Sequence, residues 1–131
     1  MKPFKTWAKH EYSKKQRIIA VVFGGIVFWI VAPFLIIIAS SYIDQWFHLP
    51  LFRFGLKNSL IGFLLIVLGW LFANWTVKVQ FSLGRGTPIP LMATQKLVVK
   101  GPYAFCRNPM TLGTATFYIG IAIWIGSLSA L

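Results

Sequence analysis

Residues 84–113 hold the side chains and turns able to do chemistry. They read Gly84-Arg85-Gly86-Thr87-Pro88-Ile89-Pro90, then Lys96-Leu97-Val98-Val99-Lys100, then Gly101-Pro102-Tyr103-Ala104-Phe105-Cys106-Arg107-Asn108-Pro109-Met110-Thr111-Leu112-Gly113. Gly84 and Gly86 permit backbone geometries and close approaches that a side chain would block. Pro88 and Pro90 hold the chain extended and keep it out of a helix. Gly101-Pro102 is a stop followed by a helix-compatible start. Asn108-Pro109 repeats the device, with Asn108 as N-cap and Pro109 at the first helical position. A helix beginning there presents N–H groups and a partial positive dipole, with Arg107 beside them, which together form an anion site. Taken singly, an arginine at a helix mouth snorkels and a Gly/Pro-rich loop turns. The grouping of a glycine pair, two helix starts and an arginine in one loop is what points to a site.

Other chemistries find no support. His10 lies in a charged tail and His48 in a short loop, and neither has a second His, Cys or carboxylate nearby, so a metal site is not expected. Glu11 and Asp44 flank opposite ends of one apolar run and cannot act as a paired acid and base. No Gly-x-Ser-x-Gly turn accompanies the serines. Cys106 is the single cysteine, which excludes an internal disulfide.

The elements that position residues 84–113 are apolar. Of 131 residues, 57% are hydrophobic and 11% charged, with a mean hydropathy of +0.72; soluble domains carry about 25% charged residues. The formal charge of +11 raises nucleic acid as a partner, but no such binding pattern is present and the basic residues instead flank apolar runs. The uncharged runs are 18–43, 59–77 and 110–131. Each is long enough for a helix across a hydrocarbon core of about 30 Å, so the expected fold is all-α with three spans. Pro33 should kink the first, with a re-entrant hairpin as its rival. That run is too long for the apolar core of a signal peptide. The chain divides into a basic tail, 1–17, and a membrane domain, 18–131, with 78–109 as the site loop. Six basic residues precede the first span, two lie in 44–58 and five in 78–109. The positive-inside rule therefore places the N-terminus and the 78–109 loop in the cytoplasm of a multi-pass protein of the cell's inner or plasma membrane. Tyr42 and Trp46 then mark the outer interface, and Trp70 and Trp75 lie toward the inner one.

The segments Gly84–Pro90, Leu97–Tyr103 and Arg107–Gly113 together resemble the isoprenylcysteine carboxyl methyltransferase and phospholipid methyltransferase family. Its motif is Arg-His-Pro-x-Tyr-x-Gly, preceded by Gly-Pro-Tyr and, in many bacterial members, by a Gly-x-Gly-Thr-Pro-x-Pro loop. Asn108 stands where His is usual and Thr111 where Tyr is usual. The resemblance implies an integral membrane methyltransferase that uses S-adenosylmethionine. It implies a cofactor site at Gly84, Gly86, Gly101, Pro102, Tyr103, Arg107, Asn108, Pro109, Met110 and Gly113, with Arg107 as the catalytic residue. The acceptor would be a lipid or lipid-like molecule entering from the bilayer. The family also has a further helix and a Glu-Glu pair after this segment, whereas this chain stops at Leu131; the expectation is a fragment that needs the remainder for activity.

Two alternatives accompany this reading. Membrane sterol reductases carry a similar Gly-Pro-Tyr and Arg-His-Pro-x-Tyr segment, which makes an NADPH-dependent reductase the rival enzyme. A small membrane interaction protein that keeps the fold without the activity is the rival outside catalysis.

Overall fold

The computed structural model describes residues 13–83 and 98–131. The basic tail up to residue 12, and Gly84 and Gly86 with the loop 84–97, lie outside the described residues. Among those described, every regular element is helical. Helix α1 runs without a break from Lys14 to Trp46, α2 covers Leu56–Leu83 and α3 covers Pro109–Ile125, with a single 3₁₀ turn at Gly101–Ala104 before it. The first two are long and apolar enough to cross a membrane; α3, at 17 residues, is shorter.

Each helix is bounded by local chemistry. Ser13 and Gln16 form a capping box: the Ser13 hydroxyl accepts from the Gln16 N–H and the Gln16 side chain accepts from the Ser13 N–H. Helix α1 thus starts four residues before the apolar run, because Lys14, Lys15 and Arg17 are good helix formers. It ends where His48 turns left-handed at φ 52°, with the Leu49 N–H reaching back to the Asp44 carbonyl at 2.9 Å. Asn108 caps α3 through a 3.3 Å bond from the Thr111 N–H, and Pro109 is buried at the first helical position, as the sequence implies. The third apolar run, expected as one span from 110 to 131, is divided. Gly126 at φ 68° ends the helix at Ile125, and the chain folds back as the Ser127 N–H bonds the Ala122 carbonyl.

Pro33 is accommodated by a change of helix type inside one continuous α1. Val27–Val31 is a π-helical segment in which the Ala32 N–H donates to the Val27 carbonyl, one residue further back than in an α-helix. Phe28 thereby loses its α-helical donor, and the next N–H in line would be that of Pro33, which has none. The Tyr118 hydroxyl of α3 donates to the stranded Phe28 carbonyl at 2.7 Å.

Helices α2 and α3 form an antiparallel pair at backbone distance. A Cβ added to Gly62 would lie 2.8 Å from the Gly120 carbonyl oxygen. One on Gly113 would lie 2.8 Å from the Ala73 nitrogen, and one on Gly120 would lie 2.7 Å from the Ile66 nitrogen. Ala73, Thr76 and Ala122 are fully buried along this seam, while Phe23, Phe34 and Phe63 are exposed. Small and polar residues inside with large apolar ones outside is the arrangement of helices that face lipid, where close backbone approach replaces hydrophobic burial.

Candidate functional site

Between the first half of α1, the second half of α2 and the start of α3 lies a cavity of about 780 Å³. Its α1 wall runs from Val21 to Trp29 and includes the adjacent Gly24 and Gly25. Its α2 wall presents Asn74, Val77 and Gln80, and its α3 wall presents Met110, Thr111, Thr114 and Tyr118. Trp29 reaches across to α3, where its ring meets Phe117 edge-on at 4.7 Å. Arg17 closes the same end by donating to the Phe81 carbonyl and lying 4.3 Å over the Phe81 ring.

The 3₁₀ turn builds the mouth. Gly101 has φ 62°, and a Cβ there would meet Val79 Cγ2 at 3.3 Å, so the turn lies tightly against α2. Pro102 is fully buried behind it. This fixes Tyr103, whose hydroxyl donates to Gln80 Oε1 at 2.6 Å. Burial pushes the Tyr103 phenol above its ordinary range, and the Cys106 thiol nearby acts in the same direction. Tyr103 is therefore a neutral donor over the physiological range.

The structure sorts the described members of the expected site into four groups. Tyr103, Asn108 and Met110 line the cavity together. Gly101, Pro102 and Pro109 shape its mouth from behind. Gly113 packs against Ala73 in the helix seam. Arg107 is exposed, one residue before the cap of α3, and is not among the residues that line the cavity. Gly84 and Gly86 lie outside the described residues. Gln80, Asn74, Trp29 and Tyr118 were not anticipated. Gly24-Gly25 next to an aromatic pair was the one hint that α1 contributes a wall.

Among the described residues the lining combines amides, hydroxyls and aromatic rings with aliphatic side chains such as Val21, Val77 and Met110, and carries no charged side chain. It can hydrogen-bond a polar ligand in many directions and place aromatic faces against a cation, and among the described residues it holds no acid–base pair for hydrolysis. Among the described residues no group of His, Cys, Asp and Glu can hold a metal ion.

The family model for phospholipid methyltransferases matches residues 58–131, more than half of the chain, which spans α2, the 84–113 segment and α3. The chain belongs to that family. Membership places it among membrane methyltransferases of the lipid-modifying type. No curated protein and no solved structure matches the chain.

Proposed function

We propose that the chain binds S-adenosylmethionine in the cavity between α1 and the α2–α3 pair and transfers its methyl group to a lipid or lipid-like acceptor. The observation that carries this reading is a roomy cavity, lined by aromatic rings, amides and hydroxyls as well as aliphatic side chains, that the family-matched α2 and α3 form together with α1. Its size is within the range of about 300–1,000 Å³ typical of ligand sites. The donor set fits the cofactor: Asn74, Gln80, Tyr103, Asn108, Thr111 and Thr114 suit its ribose, base and amino-acid groups, and Phe28, Trp29 and Tyr118 suit a sulfonium. The cofactor supplies an already activated methyl group. What remains for the protein is alignment and exclusion of water, which neutral residues in an apolar bundle can provide.

In this reading Arg107, exposed beside the α3 N-terminus, would meet the carboxylate of the amino-acid group at the mouth of the cavity. The basic end of the bundle faces the cytoplasm in this reading, in line with the placement of eleven of the thirteen basic residues. The acceptor enters laterally, between helices, from the bilayer.

Thermal unfolding of the purified chain in detergent tests the cofactor class. S-adenosylhomocysteine at about 100 times its dissociation constant should stabilise by about 2.7 kcal/mol, and NADPH should leave the transition unmoved. Stabilisation by NADPH alone would favour the reductase, and stabilisation by neither would count against a cofactor site in this cavity.

A further inference from the structure

We infer that the opposite end of the bundle carries a second site, for the headgroup of a zwitterionic phospholipid bearing an N–H ammonium, held between Asp44 and Arg53. A cavity of about 780 Å³ opens there, with Ile37 and Trp124 among its walls and Asp44, His48, Arg53 and Asn58 among its polar groups. Asp44 is 6% exposed and stands where α1 and α3 both end, so it shares its surroundings with the negative poles of two helices. Ser127 Oγ donates to its Oδ2 at 2.5 Å, the Ser129 N–H donates to its Oδ1 at 3.2 Å and the Ser129 hydroxyl also faces it, which leaves part of a carboxylate's four acceptor positions open. Among the described residues no cation answers this charge.

Arg53 lines the same cavity and, among the described residues, its guanidinium has no hydrogen-bond or ion-pair partner. Its position is nonetheless fixed. The Phe52 N–H bonds the Gly126 carbonyl at 3.1 Å, and Asn58 Nδ2 donates to the Phe52 and Ile123 carbonyls at 2.6 and 3.1 Å. The Phe54 N–H bonds Asn58 Oδ1 at 3.2 Å. The backbone on both sides of Arg53 is thus clamped near the end of α3. A buried anion and an anchored cation share one cavity without pairing, and a ligand carrying both charges satisfies both.

The surroundings specify a lipid. Tyr42, Trp46, Phe47 and Phe54 are all exposed around this end, as aromatic residues are at the headgroup level of a bilayer. A carboxylate with acceptor positions left over selects an ammonium that still has N–H donors over a trimethylated one. The site is separate from the cavity proposed for methyl transfer, since Asp44 follows Trp29 by fifteen residues, roughly 22 Å of helix rise. A lipid bound here is therefore not the acceptor, and the inference stands whatever the first cavity binds.

Native mass spectrometry of the detergent-purified chain tests it. The chain is incubated separately with dioleoyl phosphatidylethanolamine, phosphatidylcholine and phosphatidylglycerol. The ethanolamine lipid should give the most persistent adduct. Arg53→Gln should weaken all three lipids by about tenfold or more, because each carries a phosphate, and Asp44→Asn should remove only the preference for ethanolamine. Arg53 is exposed, and glutamine keeps the Cγ that lies beside Gly126, so that variant remains informative even where Asp44→Asn does not fold. Equal adducts for the three lipids, or an Arg53→Gln protein that binds like the wild type, would overturn the proposal. Displacement of the lipid by equimolar glycerophosphoethanolamine would overturn the lipid as the source of the headgroup.

Discussion

The seam between α2 and α3 and the attachment of α1 are two different solutions to one problem. In lipid, an apolar side chain gains little by leaving the bilayer for a protein neighbour, so helices adhere by close packing or by polar bonds. Helices α2 and α3 use the first. Gly62, Gly69 and Ala73 face Gly113, Phe117 and Gly120, and the backbones touch. Helix α1 buries only Pro33, Ser40 and Asp44. Polar latches hold it at three levels: Arg17 to the Phe81 carbonyl, Tyr118 to the Phe28 carbonyl, and Asp44 to Ser127 and Ser129. The difference explains where the cavities are. A helix held at points rather than along a seam leaves space between the points, and both cavities open beside α1.

The sharpest way to break the comparison is to place the same small substitution on each side of it. At Gly69 a Cβ would fall within the van der Waals shell of the Phe117 backbone nitrogen and 2.7 Å from the Gly113 carbonyl oxygen. Gly69→Ala should therefore destabilise by about 1–3 kcal/mol, the usual cost of overpacking. At Gly25 the nearest neighbour of an added Cβ is Trp29 Cδ1 at 3.8 Å, an ordinary contact. Gly25→Ala should stay within about 0.5 kcal/mol of wild type. Unfolding in mixed detergent and dodecyl sulfate micelles, followed by circular dichroism, reads both. Equal costs would mean that α1 packs as closely as the seam.

The middle latch offers a finer test. Tyr118→Phe leaves the Phe28 carbonyl without a donor and should cost about 1 kcal/mol, in the range measured for hydrogen bonds between membrane helices. Pro33→Ala supplies the missing N–H, so the same Tyr118→Phe change made in that background should cost close to nothing. A double-mutant cycle in the same unfolding assay checks this. Additive costs would show that the π-turn does not depend on the tyrosine.

Much of this was legible in the residues. The apolar runs gave the helices, and Asn108-Pro109 and Gly101-Pro102 fixed the two starts after the loop, because capping and proline geometry are local properties. The end of α3 was missed because Gly126 interrupts a run that stays apolar to Leu131, and hydropathy does not register a left-handed glycine. Of the π-turn the sequence shows only a kink: Pro33 announces a lost hydrogen bond, but what replaces it depends on a tyrosine ninety residues from Phe28. Asp44 has no carboxylate near it in sequence. Its partners, Ser127 and Ser129, meet it only when α1 and α3 come side by side. The site residues divided in the same way, since Tyr103 and Asn108 sit in motifs while Gln80 and Trp29 join them only through the packing of three helices.

The central claim is that the cavity between α1 and the α2–α3 pair is the cofactor site, and filling it tests that directly. Ala115 is exposed on α3 and lines the cavity, so Ala115→Trp adds bulk inside without disturbing the seam. Isothermal titration of S-adenosylhomocysteine into the wild-type chain and this variant should show affinity falling by about tenfold or more, a loss of at least about 1.4 kcal/mol, with the unfolding midpoint unchanged. The same affinity in both proteins would contradict the account and place the cofactor elsewhere.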